Sequence, residues 1–174
     1  MGPPGHLAIG LAAKPAAPKA PLWVLLVASE LLDLLTYGFA AIGLEDFGAS
    51  RTDLQRGLQV LVPASIPWSH GLFMSLVWSV AAAAIVYLFC RDRRSSAVVA
   101  LVVFSHWVLD FIVHPGELPL LFHGSPMVGL GLWTSSIGLI LSGILEIALL
   151  AGGTAIYLVS RKRKSSLERM GAHT

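Results

Sequence analysis

The chain has 174 residues, enough for one domain, with a net charge of +2 and a single cysteine, Cys90. Hydrophobic residues make up 55% and charged ones 13%, with a mean hydropathy of +0.74, whereas a soluble domain is about a quarter charged. This composition argues for a bilayer as solvent. The small net charge argues against a nucleic-acid partner, and the lone thiol excludes an internal disulfide.

In chain order, "MGPPGHLAIGLAAK" has no basic leader and only a short apolar run, so it does not read as a cleaved signal. "HLAIGLAA" is too short to span and reads as a re-entrant or interfacial helix, closed by the prolines of "KPAAPKAP". A spanning helix needs about 20 mostly apolar residues. Four stretches qualify: Pro21 to Leu44, Trp68 to Cys90, Ala97 to His114, and Leu130 to Ser160. The expected fold is therefore all-α and polytopic: four transmembrane helices in a compact bundle, forming one domain over 1–160, with a polar tail at 161–174. Lys14 and Lys19, "RDRR" at Arg91 to Arg94, and "RKRK" at Arg161 to Lys164 then fall on one side, read as cytoplasmic with both termini. The connections Glu45 to Pro67 and Pro115 to Gly129 fall outside. Trp23, Trp68 and Trp133 suit interfacial anchoring, and "GLGLW" suits a tight turn or close helix approach.

The ionisable residues inside these spans are the informative ones. Glu30 and Asp33 lie in the first span, His70 opens the second, His106 and Asp110 lie in the third with His114 at its end, and Glu146 lies in the fourth. No lysine or arginine occurs between Lys19 and Arg51, between Arg56 and Arg91, or between Arg94 and Arg161. A lone charge at the bilayer centre costs about 2.5–3.5 kcal/mol on insertion scales. Three remedies exist: the acids stay protonated, they pair with histidines, or they bind a cation. Histidine with carboxylate is the usual ligand mixture for zinc and related divalent ions. His106, Asp110 and His114 follow one another at four-residue spacing, which stacks them on one helix face. At 1.5 Å per residue, Asp33 and His106 lie about 16 Å and about 12 Å from the outer ends of their spans. One site in the outer half can thus collect Asp33, His70, His106 and Asp110, and His6 joins if the N-terminal segment dips back. The other histidine and acids have plain structural roles open to them, such as Glu146 bonding a serine like Ser142. Ser69 and Ser105, each beside a key histidine, read as backbone-bonding serines more readily than as nucleophiles.

"GHLAIG", "ASELLDLL", "PWSHGL" and "SHWVLDFIVH" together resemble a divergent branch of small bacterial inner-membrane proteins, the membrane-bound metal-dependent hydrolase class (YdjM-like, LexA-binding). The resemblance covers motif order and rough spacing through Asp110. It places the leading histidine at His6, the acidic motif at Asp33 with Glu30, the second-span histidine at His70, and the late pair at His106 and Asp110. The acids stand three apart where the class has two, with no preceding proline. The resemblance implies a bacterial inner-membrane location and a divalent metal site.

The leading expectation is a membrane-embedded hydrolase in which Zn²⁺ sits among His6, Asp33, His70, His106 and Asp110. Glu30, His114 or Glu146 would be the general base, and the substrate a lipid-like ester or phosphoester. The alternatives are a proton- or cation-coupled small transporter, for which a homodimer would enclose the path, and a non-catalytic membrane subunit.

Overall fold

A computed structural model describes residues 1–45, 51–53, 58–60 and 66–171. Among the described residues the chain is mostly helical, with two small antiparallel strand pairs. α1 (Pro3–Ala13) opens with prolines in its first turn, where a missing N–H costs nothing. α2 (Leu22–Ser29) follows Pro21, and α3 (Leu31–Ala41) continues it after a 60° bend at Glu30. β1 (Arg51–Asp53) and β2 (Leu58–Val60) pair antiparallel. The single turn α4 (Pro67–His70) runs into α5 (Leu72–Cys90), and α6 (Arg93–Val113) follows. β3 (Pro115–Pro119) and β4 (Met127–Leu130) form a bulged antiparallel hairpin, and α7 (Ser136–Gly171) ends the described chain.

Among the described residues three helices, α5, α6 and α7, are individually long and apolar enough to cross a membrane; the bent pair α2–α3 passes only when taken together. The first expected span is therefore not one straight helix. No proline or glycine explains the bend, but hydrogen bonding does. The Ser29 hydroxyl donates to the Leu26 carbonyl at 2.8 Å, and the Ser29 carbonyl accepts from His106 across the fold, so these end carbonyls are satisfied outside the helical ladder. The connection between α6 and α7 carries the β3–β4 hairpin. Much of the expected loop from Glu45 to Pro67 lies outside the described residues. α7 continues through "RKRK" as helix to Gly171, since Arg, Lys, Leu, Glu and Met are good helix formers; residues 172–174 of the expected tail lie outside the described residues.

α1 is wedged among α2, α6 and α7, and α5 packs along α6. The core joins Leu25, Ala28 and Leu32 of α2–α3 to Val99, Val102, Val103 and Trp107 of α6. The outer surface stays apolar: Trp23, Val80, Phe89, Ile137, Ile144 and Ile147 are all exposed. Apolar residues on every side are expected of helices facing lipid. Gly71 has no room for a side chain, since a Cβ there would lie 2.4 Å from the Pro67 carbonyl oxygen and 2.8 Å from that of Leu121. This close approach docks the β3–β4 region onto the start of α5, where the Phe73 amide donates to Leu120.

The basic clusters gather at one end. Lys14, Arg161 and Lys164 line a common groove, and Lys19 lies 3.9 Å from Asp92. Asp92 also caps α6, accepting the Ser95 amide at 2.9 Å. The Ser95 hydroxyl and amide hold the Asp92 carboxyl below its usual value. A depressed folded value means a contribution complete above the unfolded value of about 3.9 and lost as pH falls through the folded one. Asp92→Ala is thus expected to lower the thermal midpoint by a constant amount from about pH 7 to about pH 5, the gap closing below about pH 4. A gap independent of pH would show that the carboxylate is not the stabilising group.

Candidate metal centre

About 20 Å along α6 from its basic end, at 1.5 Å per residue, five side chains from four parts of the fold converge. α1 supplies His6, α3 supplies Asp33, α4 supplies His70, and α6 supplies His106 and Asp110. His6, His70, His106 and Asp110 are buried, while the Asp33 side chain is 33% exposed. Two overlapping groups, His6–Asp33–His106 and His70–His106–Asp110, each have ligand atoms within 4.8 Å of one another.

Two carboxylate oxygens flank the paired Nε2 atoms of His70 and His106. His70 Nε2 lies 3.3 Å from His106 Nε2, 3.4 Å from Asp33 Oδ1 and 3.4 Å from Asp110 Oδ2. His106 Nε2 lies 3.5 Å from Asp33 Oδ1 and 3.2 Å from Asp110 Oδ2. Ligands about 2.0–2.1 Å from a central ion stand about 3.3 Å apart in a tetrahedron. Charge-assisted N–H···O bonds between imidazolium and carboxylate would instead close to about 2.7–2.9 Å. The spacing therefore suits a shared ion better than direct pairs.

The tautomer of His106 supports this. Its Nδ1 lies 2.7 Å from the Ser29 carbonyl oxygen, which can only accept, so Nδ1 carries the hydrogen. In the neutral ring Nε2 then presents a bare lone pair to two carboxylates, an arrangement that calls for a cation between them. Because Nδ1 is engaged, Nε2 is the His106 atom left to both ligand groups.

Asp110 divides its two oxygens. Oδ2 faces His70 and His106, while Oδ1 accepts from the Met1 amine, lies 3.4 Å from His6 Nε2 and 3.9 Å from His114 Nε2. His6 stacks on His106 with ring centroids 3.7 Å apart. Its Nε2 lies 3.0 Å from the Met1 carbonyl oxygen and so donates there. That leaves Nδ1 buried without a hydrogen-bond partner among the described residues. The cluster can hold a metal ion on these grounds.

The three expected acid–base candidates separate. Glu30 sits at the α2–α3 bend, within electrostatic reach of His106, Asp33 and Asp110, and its Oε1 is buried without a partner among the described residues. His114 is at the rim, with Nδ1 3.4 Å from Glu117 and its ring against Trp133. Glu146 is not at the centre: its carboxylate accepts the Gly2 amide and ties the start of α1 to α7. Ser142, its expected partner, instead donates to the Leu139 carbonyl and accepts from Trp133 Nε1. Ser105 donates to the Val102 carbonyl at 2.7 Å, the structural role expected of it. Ser69 is fully buried between Glu45 and His70.

Sequence reasoning missed the Ser29 carbonyl, Thr36, Glu45 and the Met1 amine. Backbone groups leave no trace in residue identity, and Glu45 reads as an ordinary loop acid just past a span. No protein-family model, no curated protein and no solved structure matches the chain.

Proposed function

We propose that this chain is a four-span membrane protein, with α2–α3 as a broken span and α1 as a re-entrant helix, that holds one Zn²⁺ ion and hydrolyses a lipid-like ester or phosphoester. The 3.2–3.5 Å spacing of the Asp33 and Asp110 oxygens from the paired His70 and His106 Nε2 atoms is the observation that carries the reading. The basic clusters at one end suit a cytoplasmic face with the metal site in the outer half. The resemblance of the motifs to the bacterial inner-membrane hydrolase class supports the same location.

A bound divalent cation supplies Lewis acidity to a carbonyl or phosphoryl oxygen and lowers the pKa of water to about 7. The chain's own contribution is placement. His70 and His106 hold imidazole lone pairs on the site, and Asp110 is buried behind them. Asp33 is the partly open ligand, so the site opens on the flank of the α2–α3 bend. An opening at that depth faces acyl chains and suits a substrate arriving sideways from the bilayer. Glu30, on the same flank with an unpartnered oxygen, is the group best placed to take a proton from water.

Purified protein assayed on a panel of phospholipids and acyl esters tests this. Glu30→Gln is expected to keep the metal and lose about 10²–10⁴-fold in kcat, the usual contribution of a general base, whereas Asp33→Asn loses both metal and turnover. Metal-free protein with an intact fold counts against the whole reading. Ion flux in proteoliposomes that Asp33→Asn abolishes, without hydrolysis, selects transport instead.

A further inference from the structure

Glu45 is buried just beyond the end of α3, at 4% exposure. Its Oε1 accepts the amides of Trp68 and Ser69 at 2.9 and 2.8 Å, and its Oε2 lies 2.8 Å from Ser69 Oγ. The same Ser69 Oγ lies 3.0 Å from His70 Nδ1. A serine hydroxyl has a single proton, and a carboxylate can only accept, so that proton goes to Glu45. Towards His70 the oxygen then offers only lone pairs. Thr36 Oγ1, 3.0 Å from the same Nδ1, lies 3.1 Å from the Leu32 carbonyl and 2.7 Å from Ser69 Oγ, and both can take its proton. The backbone of His70 is held separately, its carbonyl accepting from Trp107 Nε1 at 2.9 Å.

We propose that Glu45 is a positioning residue that acts through Ser69 to keep the hydrogen of His70 on Nδ1, so that the Nε2 lone pair faces Asp33, His106 and Asp110. This inference deepens the metal reading and rests on it. It explains why a carboxylate is buried at an otherwise apolar helix end, and why Ser69 lies inside with no access for a substrate. Outer carboxylates that orient a ligating histidine, directly or through another group, typically change metal affinity by about 10–100-fold.

The test is a zinc titration of the full-length protein in detergent, with zinc as the only added ligand. Ser69→Ala cuts the link and is expected to weaken zinc about 10–100-fold. Glu45→Gln keeps an oxygen for the Trp68 and Ser69 amides, so the fold should survive, and weakens zinc towards the lower end of that range. In a His70→Gln background neither change should weaken zinc further, because the histidine they act through is gone. Wild-type affinity in both single variants, or losses that add to that of His70→Gln, overturns the proposal. Side-chain nitrogen NMR shifts of His70 in metal-free protein, at alkaline pH where the ring is neutral, test it without metal. A proton on Nδ1 in wild type that redistributes in Ser69→Ala supports the proposal, and a wild-type proton on Nε2 overturns it. If wild-type protein binds no zinc, the metal reading falls while the NMR result still decides the role of Glu45.

Discussion

Replacing His106 by alanine is expected to strip the centre of its ion and to destabilise the fold at the same time. Purified wild-type protein should carry about one divalent ion per chain, and His106→Ala essentially none, a larger loss than the 10–100-fold of an outer-partner change. The reason is position: His106 Nε2 is the atom common to both ligand groups and lies 3.2 and 3.5 Å from the two carboxylates. Removing it leaves Asp33 and Asp110 each with one neutralising partner fewer. Breaking a buried charged arrangement from one side costs about 3–5 kcal/mol. Zinc added to dialysed wild type should raise the thermal midpoint, equivalent to about 2.7 kcal/mol at a hundred times Kd; the variant should not respond. A variant that still responds to zinc like wild type would mean that the ion, if one binds, sits elsewhere.

The second large effect is expected from a residue that touches no ligand. A Cβ on Gly153 of α7 would lie 2.3 Å from the Ala8 carbonyl oxygen of α1, and one on Gly10 would lie 2.8 Å from the Leu25 carbonyl oxygen of α2. Both obstacles are backbone, so neither can rotate away. Such small-residue contacts let helices approach closely where lipid supplies no hydrophobic drive between them. Gly153→Val must therefore push α1 off α7. His6 lies on α1 two residues before Ala8 and about one turn before Gly10, so it is drawn from the site with the helix. We expect a stability loss of about 1–3 kcal/mol, typical of overpacking, together with weaker zinc binding. Gly152→Val is the control, since a Cβ at Gly152 meets nothing within 4 Å. Equal zinc affinity in Gly153→Val and Gly152→Val would show that α1 does not present His6 to the metal.

The long apolar stretches and the set of candidate ligands are determined by the sequence alone. Charge is costly in hydrocarbon, so each in-span His, Asp or Glu stands out against its neighbours; on that basis Asp33, His70, His106 and Asp110 can be selected without coordinates, but so can Glu30, His114 and Glu146, while His6 lies before the first span and joins only if its segment folds back. Periodicity likewise places His106 and Asp110 on one face of α6. What only the tertiary structure decided is how those groups are oriented and which acids are excluded. The break at Glu30 follows from a carbonyl of α2 turned towards a histidine of α6, a contact between residues 77 positions apart that no local pattern encodes. Glu146 looks as buried and as unpaired in sequence as Asp33 does, yet it serves the Gly2 amide, because α1 folds back against α7 at that level. Glu45 shows the converse, a loop acid drawn inside by amides and a hydroxyl of a segment more than twenty residues later. Burial cost depends on residue type and can be read one position at a time. Hydrogen-bond direction depends on which groups meet, and that is set only when the helices pack.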